Sequence, residues 1–387
     1  MSIPHLFRCP ISLDLFTDPV TLSTGQTYDR PSIEKWLADG HLTCPVTMQR
    51  LRDTSLVPNH TLRHLIDQWI VAEPDIDSRR AASDSISGTE FSLATLKHSL
   101  QSKNTTNAAK FEILKKVRIL SVESDIGRTY LIHLGFSQVL LRLLFENPVA
   151  YHLEMLELAL DCGLSLLPSG QVDALNMLKE DKYLASFMLL LEQGHTKIKT
   201  SLCYLLEAIA TSLATRELCE AIGQSQRVLR VLVSLMHSKC DVKASDAAVR
   251  AIAGISLRES NRGNVIREGG LNGLVTYLSS SIQMSTSRAL ATVEILLGLE
   301  AGRKAMAKDA NVVQVLVKHV FIVPTDHEAS EHAVGSLLIM CSDSARVQSA
   351  AVNAGLLPQL LLLLQSQCSS RAKIRVSALL KLLKSMW

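Results

Sequence analysis

The chain has 387 residues, of which 47% are apolar and 20% charged, a globular balance that excludes a wholly disordered chain. Aromatic residues make up only 4% against 64 leucines, which favours helices over a β-sandwich. Net charge is +3: residues 1–90 carry 8 basic and 12 acidic side chains, the rest 32 and 25, and neither part has the basic clustering of a nucleic-acid footprint.

Seven of the eleven prolines lie at or before Pro74, so the chain reads as two compositional objects. In the first, Pro4, Pro10 and Pro19 forbid helix and favour extended loop. Val20–Ser23 and Gln26–Tyr28 read as short strands around a Thr24-Gly25 turn. Asp29 is a candidate N-cap for a helix over Ser32–Ala38, with Pro31 in the first turn and Gly40 as the stop. Ile33, Trp36 and Leu37 share one face of that helix. A second loop, Leu42–Val57, contains Cys44-Pro45, and Asn59 caps a last helix with Leu62, Leu65, Ile66 and Trp69 at helical spacing. The first domain is placed at residues 1–73 and the polar, small-residue stretch 74–90 reads as a linker.

From residue 91 to 387 the text is helical and repetitive. Val352-Asn353-Ala354-Gly355-Leu356-Leu357 matches Arg267-Glu268-Gly269-Gly270-Leu271, and looser copies surround residues 135, 181, 224 and 310. The anchors 135, 181, 224, 270, 310 and 355 are spaced by 46, 43, 46, 40 and 45 residues. Each is followed by an apolar helix, a polar break and a longer apolar helix, as at Ile198–Ala210, Val242–Ser256, Thr286–Gly298, Ala329–Cys341 and Lys373–Leu383. A period of about 40–47 residues with two or three helices is the armadillo or HEAT signature, which predicts a right-handed solenoid of five or six stacked units behind N-terminal cap helices over 91–120.

The eight cysteines are scattered without a CxxC, which reads as reduced thiols, not a disulfide framework. No apolar stretch follows a basic start, no myristoylation pattern is present, and Leu356–Leu364 is too short to span a bilayer, so no leader or membrane anchor is expected and the setting is read as cytoplasmic, with the nucleus as the alternative.

The segment 7–69 carries the functional signal. It runs Phe7-x-Cys9-Pro10-Ile11-Ser12-Leu13-Asp14, Asp18-Pro19-Val20, Thr24-Gly25-Gln26-Thr27-Tyr28-Asp29-Arg30, Ile33 and Trp36, Cys44-Pro45-Val46-Thr47, and Pro58-Asn59. This resembles the U-box family over about 66 residues, and the whole chain resembles the plant ubiquitin-protein ligases that join a small α+β, RING-like, zinc-free U-box to an all-α armadillo array. Two cysteines and four histidines without CxxC fall short of the eight ligands of a two-zinc RING, so no metal or other cofactor is expected. The resemblance implies a polar network in place of the metals, with Ser12, Asp14, Thr27, Tyr28, Asp29, Arg30, Glu34, Thr47 and Asn59 as its members.

The resemblance further implies that the domain docks a ubiquitin-conjugating enzyme through Ile11 and Leu13 of the first loop, Trp36 of the helix and Pro45 of the second loop, and orients the ubiquitin thioester without a covalent intermediate on the ligase. Ile11 and Leu13, spaced i and i+2 on an extended loop, would share one face. Taken without the family, these apolar residues are ordinary core and Pro45 a loop former; Cys9 and Cys44 read as buried structural thiols, since no activating base accompanies them. Many family members carry Arg or Lys where this chain has Met48, followed by Arg50, so the cation that bridges conjugating enzyme and ubiquitin is absent or supplied by Arg50. U-box domains often pair, so a homodimer is a further expectation. The armadillo groove is expected to hold a protein substrate; Ala251–Ile255 and Ser336–Met340 lack the asparagines that line import-receptor grooves. The competing reading is an armadillo scaffold whose U-box is mainly structural.

Overall fold

The computed structural model describes residues 5–51, 53–72, 93–123, 125–146, 148, 151–167, 172–238, 241–280, 284–307, 310–322 and 326–384. The expected linker 74–90 lies outside the described residues. The chain divides into two compact units, Met1–Thr105 and Thr106–Trp387.

The first unit is built around a three-stranded antiparallel sheet, β1 (Pro19–Thr21), β2 (Thr27–Asp29) and β3 (Val57–Pro58), in the order β2-β1-β3. Val20 pairs with Tyr28 on one side and Pro58 on the other. Gly25 closes the β1–β2 turn at φ 81°, a left-handed conformation open to glycine at no steric cost. The sequence missed β3 because a two-residue strand containing proline has no alternating pattern; it pairs at the sheet edge, where the missing N–H is tolerated.

Helix α1 (Arg30–Ala38) begins two residues earlier than expected and ends before Gly40, at φ 84°. Asp29 occupies its N-cap position, yet its side chain caps nothing there. Asn59 does cap α2 (His60–Ala72): its Oδ1 accepts the Leu62 N–H at 3.0 Å. Phe7, Phe16, Val20, Leu22, Tyr28, Ile33, Leu62, Leu65 and Ile66 form the small core, and Trp36 and Leu37 of α1 stay half-exposed. Helix α3 (Leu93–Gln101) groups with this first unit by its contacts, with Leu93, Leu96 and Leu100 buried.

The second unit opens with α4 (Asn107–Glu123) and, among the described residues, continues as six triplets whose long third helices follow α5 (Asp125–His133) and α6 (Phe136–Glu146), a 3₁₀ segment and α8 (Asp181–Gln193), α10 (Arg216–Gln224) and α11 (Gln226–Met236), α13 (Glu259–Arg267) and α14 (Gly270–Leu278), α16 (Glu300–Met306) and α17 (Ala310–Lys318), and α19 (Ala345–Asn353) and α20 (Leu356–Gln365). The third helices are α7 (Leu153–Leu166), α9 (Thr196–Thr211), α12 (Val242–Ser256), α15 (Thr286–Leu297), α18 (His327–Asp343) and α21 (Ser370–Leu383). They pack consecutively, α4 on α7 on α9 and so to α21, forming one continuous layer. In the second triplet a 3₁₀ segment, Val172–Lys179, replaces the first helix. Gly135, Gly269 and Gly355 adopt φ of 73°, 87° and 83° at the turn between first and second helices, where the chain must reverse within one or two residues. The looser anchor at 224 makes the same turn without glycine: Ser225 separates α10 (Arg216–Gln224) from α11 (Gln226–Met236) in an extended conformation. Leucine dominates the interior, including Leu202, Leu206, Leu290, Leu337 and Leu379, all at most 1% exposed.

Candidate functional site: two equivalent loops and a half-exposed tryptophan

The two loops of the first unit have one backbone design. In the first, the Leu13 N–H donates to the Cys9 carbonyl and the Cys9 N–H to the Asp14 carbonyl, both at 2.8 Å. In the second, the Met48 N–H donates to the Cys44 carbonyl at 2.9 Å and the Cys44 N–H to the Gln49 carbonyl at 2.8 Å. Isolated bridges Arg8–Leu15 and Thr43–Arg50 close the two loop bases. Leu13 and Met48 occupy the same place in each loop, and both take positive φ, 62° and 57°. The signal for this duplication was in the sequence and was overlooked: Cys9-Pro10-Ile11-Ser12-Leu13 recurs as Cys44-Pro45-Val46-Thr47-Met48.

Each cysteine sulfur anchors its loop. The Cys9 sulfur accepts the Asp29 N–H at 3.3 Å; burial opposes ionisation, but this bond and the nearby polar groups of Ser12 outweigh it and lower the thiol's pKa. Cys44 is fully buried, which alone would push its thiol up, yet the neighbouring hydroxyls of Thr24, Thr47 and Tyr28 hold it at about 6. Burial and the Cys44 bond raise the Tyr28 phenol, so Tyr28 keeps its proton, donates to the Cys44 sulfur at 3.0 Å and accepts the Val46 N–H at 3.2 Å. A sulfur spent as an acceptor and shut off from solvent is an anchor, not a nucleophile. All seven described cysteines are buried. Consecutive residues of β2, Tyr28 and Asp29, therefore fasten the two loops to one strand.

A second cluster holds the sheet to the first loop and α2. The Asp29 carboxylate accepts the Thr17 N–H and hydroxyl, each at 2.8 Å, and the Asp18 N–H at 2.7 Å. This explains why it leaves the α1 cap: three donors outbid one. Arg30 pairs with Asp18 at 2.5 Å, which depresses the Asp18 carboxyl, and Arg63 of α2 joins at 3.4 Å. Asn59 donates to the Thr27 hydroxyl at 3.2 Å, which in turn meets Thr21 at 3.0 Å. Among the expected network residues, Thr27, Tyr28, Asp29, Arg30 and Asn59 lie in these clusters, and Ser12 and Thr47 lie in the loops whose cysteine thiols they help lower. Asp14 is exposed, and exposed Glu34 meets Arg30 only at 3.7 Å. Thr17, Asp18, Thr21 and Arg63 were missed, because their partners lie 6 to 45 residues away and no local pattern marks them. Among the described residues no cluster of metal-ligating side chains is present.

The residues expected to dock a conjugating enzyme fall on the two loops and the helix between them. Ile11 and Pro45 are half-buried, and Leu13 is 66% exposed. The first loop is a closed turn with Leu13 left-handed, not an extended segment, so the i, i+2 argument for a shared face fails. Trp36 Nε1 donates to the Thr43 carbonyl at 2.9 Å, and its ring stacks on His41 with centroids 4.2 Å apart. The indole is thus fixed against the second loop with part of its surface in solvent. Val46, Leu42 and Met48, unassigned to docking by the sequence, are also exposed, at 52%, 51% and 70%. Arg50 is exposed beside the second loop.

In the second unit the third-helix layer is laced by ion pairs between successive triplets. Glu207 of α9 holds Arg250 of α12 at 2.7 Å and also Arg288 of α15. Glu294 of α15 holds His332 of α18 at 2.7 Å and Arg375 of α21 at 2.6 Å. The second pair crosses α18 at Gly335, where an added Cβ would lie 2.6 Å from both Arg375 Nη1 and Glu294 Oε1. The six third helices carry nine acidic and nine basic residues, so the positive excess of residues 91–387 lies elsewhere. A cavity of about 580 Å3 between α7, α9 and α12 is lined by Leu164, Leu167, Val172, Tyr204, Glu207 and Arg250.

Comparison with known proteins agrees with this geometry. Residues 3–74 match the U-box domain family and residues 93–387 match the plant U-box protein ARM repeat region. The chain is 33% identical to U-box domain-containing protein 26 of Arabidopsis thaliana, over its whole length and 93% of that protein. It is 26% identical to the E3 ubiquitin-protein ligase PUB23 of the same plant, over its whole length and 94% of the relative. Among solved structures, an engineered protein aligns with 65% of this chain and 97% of its own at TM-score 0.51 and 24% identity, a likeness of fold alone. With both units matched over almost their whole length and relatives aligned end to end, the chain belongs to the plant U-box/armadillo family of ubiquitin-protein ligases, transferases of the RING type.

Proposed function

We propose that the first unit docks a ubiquitin-conjugating enzyme on the surface made by Ile11, Leu13, Trp36 and Pro45, and that the armadillo repeats recruit the protein that receives ubiquitin. One observation carries this reading: the tips of both loops keep apolar side chains in solvent, Leu13 on the first and Val46 and Met48 on the second, beside a tryptophan already locked in place. Exposed apolar surface around a fixed aromatic is the chemistry of a partner site.

The transfer needs no nucleophile from the ligase. A substrate lysine amine attacks the thioester carbonyl of the charged conjugating enzyme; the carbon–sulfur bond breaks, the conjugating enzyme's thiol leaves, and an isopeptide forms. The ligase contributes by restricting the charged complex to reactive conformers. Met48 offers no cation to bridge conjugating enzyme and ubiquitin, so Met48→Arg is expected to speed ubiquitin discharge to free lysine once the ligase is saturated with charged conjugating enzyme; an unchanged or lower saturating rate removes that role for the position.

Autoubiquitination by the purified full chain with a panel of conjugating enzymes tests the proposal. Activity that is lost in Ile11→Ala supports it. Activity with no conjugating enzyme of the panel favours the scaffold reading, and activity that persists in Ile11→Ala displaces the docking site.

A further inference from the structure

Among the described residues only Leu13 and Met48 combine a side chain with a left-handed backbone. That conformation is costly for any residue with a Cβ and free for glycine. The same unit uses glycine, at Gly25 and Gly40, where a left-handed turn is all that is required. Neither strained side chain repays its strain by packing, since Leu13 is 66% and Met48 70% exposed. Their backbones are interchangeable: each N–H closes the same bond to a cysteine carbonyl four residues earlier. A glycine at either position would build the loop, so the side chains are retained for something outside the fold.

We infer that Met48 is a specificity-determining contact, the second-loop counterpart of Leu13, which selects conjugating enzymes presenting an apolar surface to the second loop. The inference rests on the docking reading above. Val46, 52% exposed two residues earlier, extends the same apolar surface. A thioether on an unbranched stem adapts to an uneven apolar partner and offers no donor to a polar one. The Val46 N–H turns inward to the Tyr28 hydroxyl, while the Val46 and Met48 side chains stay in solvent.

The test uses the full chain and an uncharged conjugating enzyme that supports its autoubiquitination, with binding and thermal melting measured on the same samples. Met48→Gln keeps length and strain but not apolarity, and is expected to weaken binding at least fivefold. Met48→Leu should bind within twofold of the unaltered chain. Met48→Gly should weaken binding at least fivefold while melting no lower, because the strain is relieved. Binding within twofold for both Met48→Gln and Met48→Gly overturns the inference, as does a melting temperature several degrees lower in Met48→Gly, which would make the side chain structural. Ile11→Ala separates the two levels. If it weakens binding and Met48→Gln does not, only the Met48 assignment falls; if it too binds normally, the docking reading falls and this inference with it.

Discussion

The two units of this chain are stabilised by different physics, and their tolerance to change differs accordingly. The repeats bury leucine after leucine against neighbours one triplet away, so each third helix rests on apolar area supplied by many residues. The first unit has about a dozen core side chains and relies on a few polar atoms, chiefly two cysteine sulfurs, one aspartate and one asparagine, that each gather several donors or join two elements. A distributed apolar core degrades gradually when one residue is lost. A polar hub fails at once, because several donors lose their common partner together.

Replacing the Asp29 hub sharpens this contrast most. Asp29→Ala strands the Thr17 and Asp18 donors, and with unsatisfied groups costing about 1–3 kcal/mol each it should abolish the folding transition of the first unit while that of the repeats stays in place. Calorimetry of the full chain reads both; a first-unit transition that survives would show that the small core suffices. Leu337→Ala is the matching test on the other side. It empties a fully buried site on α18 and should cost the repeats about 3 kcal/mol, lowering but not removing their transition.

Gly335→Ala turns on a sign. In a helix interior this change ordinarily stabilises by up to about 1 kcal/mol. Here the new methyl would strike the Glu294–Arg375 pair where it crosses α18, so a net loss of about 1 kcal/mol is expected, and a rise in melting temperature would mean that the pair contributes nothing. The smallest effect is an acid one. Burial would raise the Glu294 carboxyl, but His332 and Arg375 overcome it and hold it below its ordinary value. A depressed carboxylate adds stability above its unfolded pKa, about 4.3, and that stability disappears as pH falls through the lower folded value. Urea melts of the repeats should therefore weaken below about pH 4, and Glu294→Gln should flatten that dependence.

What the sequence disclosed follows the same division. Repeats are written in period and in leucine spacing, so five of the long third helices were placed to within three residues at each end, with Val242–Ser256 matched at both. The ion pairs between third helices were invisible, since a carboxylate on one helix and its arginine lie up to 81 residues apart. In the first unit, motif order located the loops, yet the motif was silent on their conformation: nothing in Leu13 or Met48 announces a left-handed residue, and side-chain type argues against it. Asp29 misled for a physical reason. An aspartate before a proline-led helix is a good cap by local rules, and the tertiary donors of Thr17 and Asp18 override them.

The central claim is that transfer is driven by a docking surface on the first unit. It is tested most directly by the single-turnover rate at which a ubiquitin-charged conjugating enzyme discharges to free lysine, measured with the full chain and with Ile11→Ala at matched melting temperature. The account predicts at least tenfold stimulation by the unaltered chain and its near-complete loss in Ile11→Ala. Equal stimulation by the two would contradict it.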